Sequence, residues 1–198
     1  MNSALSVRQE AECELVPAGP KATTDLAVKG RYVVEHWRNG KRINEFHFNN
    51  GIVDEGKNKL LDVMFHAVSA ITVWYMGLID NSGYSALADD DTYDDIDQAG
   101  NGWDEFQTYT VSANPTNRAT WVEDAASGES ITNSTVAVFD ITGTATVKGL
   151  FLAGGIANAQ LKGNHEPGAT LWATALLGSG DVAVQNGDQL KVTYTVSA

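Results

Sequence analysis

The sequence predicts a mainly β fold, an antiparallel two-sheet β-sandwich with jelly-roll or immunoglobulin-like connections, one amphipathic helix and an N-terminal arm. Three observations predict it. About eight or nine short runs have the β-branched and aromatic composition of strands, turn residues separate these runs, and the last run alternates with period two. The 198 residues, 43% of them apolar, are enough for one well-filled core. We therefore expect an arm over residues 1–28 and one sandwich domain over residues 29–198.

The predicted arm ends at a cluster of turn-forming residues. Pro17, Gly19 and Pro20 lie between a charged N-terminal segment and the first strand-like run. The first 20 residues contain no apolar core of the length that a secretory signal needs, and the chain has no apolar run of about 18 residues. We expect no membrane partner. Cys13 is the single cysteine, so an internal disulfide is excluded.

The first strands are predicted to form a hairpin. Two runs rich in aromatic and β-branched residues, within residues 31–51, flank Asn39 and Gly40. This dipeptide tolerates the positive φ angles of a tight turn better than others do.

The predicted helix follows within residues 50–67, NGIVDEGKNKLLDVMFHA. Apolar or small residues recur there at spacings of three and four, and charged residues fill the other positions. The recurring residues are Val53, Gly56, Leu60, Val63 or Met64, and Ala67. We expect the side with Leu60 and Phe65 to pack against a sheet, closing one end or side of the sandwich.

The remaining elements are predicted to be strands. Residues 71–80, ITVWYMGLID, form a nearly continuous apolar run, which favours a buried central strand. Further runs with strand composition are WDEFQTYTV, RATWVED, STVAVFDIT, TATVKGLFLAGG, ATLWATALLGSG and DQLKVTYTVSA. In the last run, period-two alternation places Leu190, Val192, Tyr194 and Val196 on one face.

Catalytic motifs are missing from the sequence. It contains neither the Gly-x-Ser-x-Gly elbow of serine hydrolases nor a phosphate-binding loop with its Gly-Lys-Ser/Thr ending. GSGDVA at residues 178–183 precedes strand-like sequence, so a turn is favoured over a dinucleotide site. The four histidines are dispersed, and an approach of His36 to His47 across the hairpin would be structural. We expect no enzyme, and no catalytic, cofactor-binding or metal-binding residues.

The most acidic part of the chain is the segment from residue 80 to residue 105, called here the acidic segment. It has nine carboxylates and no Lys or Arg. Such density could bind Ca²⁺, but registers that start at Asp89 or Asp95 place Tyr93 or Ala99 where a calcium loop needs its third oxygen ligand. We expect a solvated surface loop with a short helical turn in residues 88–96. The formal net charge of −12 also argues against direct nucleic-acid binding.

The succession of residues 48–198 resembles a known family. NNGIVDEGKNKLLDVMFHA, ITVWYMGLID, GWDEF, the long stretch from NRATW to FLAGG, and the closing GDQLKVTYTVSA are similar to small capsid decoration or cement proteins of tailed bacteriophages. The resemblance implies a virion protein on the capsid exterior, made in the host cytoplasm, that stabilises the shell by bridging coat subunits. It implies as partners the major capsid protein and further copies of the chain, as a dimer or trimer. It implies no cofactor.

Two alternatives to a decoration protein remain. One is a tail or neck component of the virion. The other is a carbohydrate-binding β-sandwich module, whose aromatic side chains would stack on sugar rings. Among its five tryptophans, we expect Trp74 and Trp172 in the core, whereas Trp103 lies beside Gly100 and Gly102 and is the candidate for exposure.

Overall fold

A computed structural model describes residues 27–178 and 180–198. These residues form an antiparallel sheet of twelve strands and one α-helix, which confirms the predicted mainly β fold. The strands are β1 (Lys29–Arg38), β2 (Lys41–Asn50), β3 (Trp74–Asp80), β4 (Glu105–Phe106), β5 (Tyr109–Thr110), β6 (Ala119–Glu123), β7 (Ser130–Thr135), β8 (Ala137–Ile141), β9 (Ala145–Gly154), β10 (Thr170–Leu176), β11 (Val182–Val184) and β12 (Gln189–Ser197). The helix is α1 (Asp54–Phe65), and short 3₁₀ helices span Tyr93–Asp95 and Ala157–Gln160. All but two residues of the predicted arm lie outside the described residues.

The sheet curves into a shape that is nearly a barrel. Its main path runs in the order β10, β9, β3, β6, β7, β12, β1, β2. β11 pairs with β9, β4 with β3, β8 with β12, and β5 with β8. Near its two ends, an isolated bridge joins Ile52 to Ala173. Because one path connects all these strands, the predicted division into two sheets is not confirmed.

The hairpin and the last strand are confirmed. Asn39 and Gly40 have φ angles of 52° and 71°, the left-handed values that a two-residue hairpin turn requires. In β12, which lies between β1 and the β7–β8 pair, Leu190, Val192 and Tyr194 point into the core while Val196 is half-buried. The predicted central strand is also found, although β3 begins three residues later than the apolar run.

A second apolar cluster lies on the outer face of β3, β9 and β10. Phe151 and Ala153 of β9 belong to this cluster, and Tyr93, Ile96 and Trp103 of the acidic segment cover them. The prediction of a simple solvated loop is therefore wrong, because the carboxylates alternate with apolar side chains that need burial. The predicted short helical turn is confirmed as the 3₁₀ helix Tyr93–Asp95. As a result, most of β9 is buried on both faces.

The helix prediction is confirmed in position and for the face that carries Gly56 and Leu60, and it is wrong for Phe65. Gly56 is the buried residue of α1, Leu60 is half-buried, and Phe65 is 81% exposed. Gly56 and Phe65 are nine residues apart, and at 100° per residue they lie on opposite sides of a helix. The side that faces the sheet is therefore centred on Gly56. No helix in the described ranges is long and apolar enough to cross a membrane.

Candidate interaction surface

The largest apolar side chains exposed on α1 form one stripe. Leu61, Met64 and Phe65 are 54%, 65% and 81% exposed, and their spacing places them side by side. Full burial of such a side chain stabilises by about 1.5–3 kcal/mol, so burying these exposed fractions would contribute about 3–6 kcal/mol. We call these three residues the apolar stripe. Exposed apolar groups that adjoin one another in this way commonly mark a contact with another molecule.

The stripe stands on a helix that is held closely against β10. A Cβ atom added to Gly56 would lie 2.5 Å from the backbone oxygen of Trp172, so only glycine permits this approach. The backbone N–H of Val53 donates to the same oxygen at 3.1 Å. These contacts fix the first turn of α1 relative to the sheet.

Glu55 anchors the same turn to two other elements. Its Oε2 atom accepts hydrogen bonds from the backbone N–H of Tyr93 at 2.9 Å and of Leu171 at 2.7 Å. Burial raises the pKa of Glu55, and these two hydrogen bonds oppose the shift. The helix therefore connects β10 to the acidic segment, and the apolar stripe is presented by a rigid element.

A groove of ≈ 610 Å³ lies between the middle of α1 and the segment that follows the helix. Residues 68–73, Tyr75, Ile156 and Lys59 line it. Lys59 and Leu61 are about 200° apart around the helix. The groove is therefore on the other side of α1 from the apolar stripe, and the two surfaces are separate.

A buried ion pair holds the acidic segment in place. Nε and Nη2 of Arg118 donate to the two carboxylate oxygens of Glu105 at 2.9 and 2.8 Å, and both side chains are 0% exposed. The guanidinium also donates to the hydroxyl of Tyr93 at 2.8 Å and to the carbonyl oxygens of Ala159 and Asn164, each at 2.9 Å. Each of its hydrogen bonds is to a group of the chain itself, which indicates a structural role.

Asp188 is the centre of a second charged cluster. It accepts hydrogen bonds from Arg38 at 2.8 and 2.7 Å and from the backbone N–H of Gln185 at 2.9 Å, and it lies 2.8 Å from Nε2 of His36. The hydrogen bonds from Arg38, and then the single contact with His36, lower the pKa of Asp188. The strand register places His36 opposite Asn44 and His47 opposite Val33, so the two histidines do not pair across the hairpin.

Two carboxylates of the acidic segment, those of Asp91 and Asp95, accept hydrogen bonds from groups of the chain itself. Asp91 accepts hydrogen bonds from Trp103 Nε1 and the backbone N–H of Ala88, each at 3.0 Å, and Asp95 caps the 3₁₀ helix. Within the described ranges, no three His, Cys, Asp or Glu residues are grouped so that they could hold a metal ion. These two carboxylates instead satisfy donors of the chain itself.

The other sequence candidates have structural positions. The strand β11 begins at Val182, within the GSGDVA stretch, so no helix N-terminus is available there for a pyrophosphate. Trp103 is 1% exposed, which makes its predicted exposure wrong, and Trp74 and Trp172 are half-buried. Cys13 lies outside the described residues.

Comparisons with family models, curated proteins and solved structures find no match to this chain. The function therefore has to be argued from the apolar stripe and from the sequence. The sequence pattern did not predict that Leu61 and Met64 are exposed. The nine-residue spacing between Gly56 and Phe65 is the signal that could have found this side of the helix.

Proposed function

We propose that this chain is a structural protein of a bacteriophage virion, a decoration protein that binds the outside of the capsid and stabilises the shell. The observation that carries the proposal is the apolar stripe on a rigidly held helix. Such a stripe suits a lasting contact with a protein surface, here that of the major capsid protein. The resemblance of residues 48–198 to decoration proteins supports this choice of partner. The net charge of −12 suits a position outside the shell, away from the packaged genome.

The proposed mechanism is bridging by a homo-oligomer. One stripe can contact one coat subunit, but a dimer or trimer carries two or three stripes on one assembly. Attachment of one stripe raises the effective concentration of the next stripe at its neighbouring subunit. Neighbouring coat subunits are then clamped together, and separating them requires the release of several contacts.

The alternatives make different use of the same molecule. A tail or neck component would use the same stripe at another place in the virion, and imaging of particles distinguishes the two positions. A carbohydrate-binding module would need an accessible aromatic platform, whereas none of the five tryptophans is exposed. We also keep the two-sheet jelly-roll or immunoglobulin-like arrangement as the finer fold assignment, with β6 and β7 as the strands that join its two halves.

The proposal is tested with the triple variant Leu61→Ser, Met64→Ser, Phe65→Ser. Because all three side chains are exposed, we expect the variant to fold and to melt close to the wild-type temperature. Loss of about 3–6 kcal/mol of apolar contact corresponds to a weakening of binding to decoration-free capsids by at least a hundredfold. Binding is measured by co-sedimentation with purified capsids.

A matched control is the variant Val122→Ser, Val136→Ser. These valines are 44% and 46% exposed; Val122 lies in β6 and Val136 between β7 and β8, whereas α1 packs against β10. This control should bind capsids as the wild type does. If the triple variant also binds with wild-type affinity, the apolar stripe is not the attachment site and the proposal loses its support.

A further inference from the structure

The groove beside α1 has one wall of backbone whose polar groups are free to pair. Residues 68–73, VSAITV, form this wall and connect the helix to β3 without a turn. In the part of the chain that the structure describes, the backbone N–H and C=O groups of residues 69–72 make no hydrogen bonds, because β3 begins to pair with β6 and β9 only at Trp74. Unpaired backbone of this kind can take up an added strand.

The rest of the groove is apolar apart from one charged side chain. Tyr75 and Ile156 line it together with the apolar side chains of residues 68–73. Lys59 lines it as well and is half-buried. Lysine ion pairs within the described ranges are those of Lys57 and Lys148, so the ammonium group of Lys59 has no acidic partner there. An unpaired, partly desolvated positive charge favours a ligand that brings a carboxylate.

We propose that this groove binds an extended peptide segment of a partner protein, in which a carboxylate lies among apolar or β-branched residues. The segment would pair as a strand with the backbone of residues 69–72, and its carboxylate would pair with Lys59. Six residues of a strand span about 20 Å, which matches the wall of residues 68–73. The volume of ≈ 610 Å³ is within the range of ligand sites.

Two other occupants match the groove less well. A second copy that paired through the same residues would bring a second Lys59 to the contact, and residues 66–75 contain no Asp or Glu to neutralise it. An aliphatic acid would pair with Lys59 but would leave the backbone of residues 69–72 without partners. The inference goes beyond the proposed function and does not depend on it, because the groove and the apolar stripe are on different sides of α1.

The first test is selection of short random peptides, displayed on yeast, that bind the full-length protein. The wild type should enrich peptides with Asp or Glu between apolar or β-branched residues. Lys59→Glu should enrich peptides with Lys or Arg at that position. The control Lys57→Glu changes a lysine about 200° away around the same helix and should enrich the wild-type peptides. Absence of enrichment, or the same peptides for the wild type and Lys59→Glu, would overturn the proposal.

The second test measures the contribution of Lys59 with one selected acidic peptide as the probe. In fluorescence anisotropy, Lys59→Met should weaken its binding about fivefold, and so should replacement of the peptide carboxylate by an amide. The two changes together should weaken binding no more than either one alone, because both remove the same ion pair. An affinity that Lys59→Met leaves unchanged would contradict the pairing of this lysine with the carboxylate.

The third test asks whether the peptide pairs as a strand. Alternate N–H groups of a strand point to its opposite edges, so methyl groups on one alternate set of peptide nitrogens should weaken binding about tenfold or more. Methyl groups on the other set should leave the affinity almost unchanged. Equal effects of the two sets would show that the segment does not add as a strand. Displacement of the peptide by dodecanoate at matching affinity would indicate a site for aliphatic acids and would also overturn the proposal.

Discussion

Removal of Arg118 should show how strongly the acidic segment depends on its buried ion pair. In Arg118→Met, the carboxylate of Glu105 would remain buried without its partner, since its side chain is 0% exposed. Breaking a buried pair in this way costs about 3–5 kcal/mol. The hydroxyl of Tyr93 and two backbone carbonyl oxygens would lose a donor as well. Typical domains have a free energy of unfolding of about 5–15 kcal/mol, so a loss of this size is readily measured.

The assay is urea unfolding followed by tryptophan fluorescence and circular dichroism. The double variant Glu105→Leu, Arg118→Met removes both charges and should recover about 2 kcal/mol of the loss, because the uncompensated charge is then absent. A loss below about 1 kcal/mol in Arg118→Met, or a double variant no more stable than the single one, would refute the reasoning.

The stability lost in Arg118→Met should depend on pH. Burial already raises the pKa of Glu105, and the Arg118 guanidinium opposes this shift. Without Arg118, the folded pKa lies further above the unfolded value of about 4.3. Stability from this group is then present below about pH 4 and is lost as pH rises through the folded pKa. The difference between wild type and Arg118→Met should therefore be smaller at about pH 5 than at pH 7.5.

Two further predictions concern Asp188 and Gly56. Asp188→Asn should lower the free energy of unfolding at pH 7 by about 1.5–3 kcal/mol, because charge-assisted hydrogen bonds are lost. Arg38 and His36 lower the pKa of Asp188, so the contribution of this carboxylate to the free energy of unfolding is present above about pH 4 and is lost as pH falls. Urea unfolding curves of the wild type and of Asp188→Asn should therefore converge in acid. A difference that stays constant with pH would contradict this. Gly56→Ala should destabilise by about 1–3 kcal/mol despite the better helix propensity of alanine, because its Cβ atom would lie 2.5 Å from the oxygen of Trp172. A rise in melting temperature would show that α1 can move away from β10.

Local signals predicted the β elements well. Asn39-Gly40 fixed the hairpin, because the turn geometry depends on these two residues alone, and the alternation in β12 gave its buried face. The two ends of α1 were also close to the predicted range. The turn, the alternation and the helix ends depend on residues that are close together in the sequence, so they can be predicted from the sequence alone.

The features that the sequence did not predict depend on contacts between distant residues. The charge of the acidic segment predicts a solvated loop, but Trp103 packs on Phe151 of β9 and Tyr93 lies in the same buried cluster, and no local pattern indicates these partners. In the sequence, Glu105 is one of nine acidic residues with no basic neighbour in the segment, although Arg118 pairs with its carboxylate from thirteen residues away. The closure of the sheet into a near-barrel is likewise a property of strand order, which composition does not encode.

The position of β12 has a consequence for synthesis of the protein on the ribosome. β1 pairs with β12 along almost its whole length, from Lys29 opposite Ser197 to Trp37 opposite Gln189. At about 5–20 residues per second, roughly 8–30 seconds separate translation of Arg38 from translation of Ser197. During that interval β1 has only its hairpin partner, and a lone two-stranded hairpin is marginally stable in water. The nascent chain therefore waits with an open strand edge, and chaperones that cover such edges should increase its folding yield.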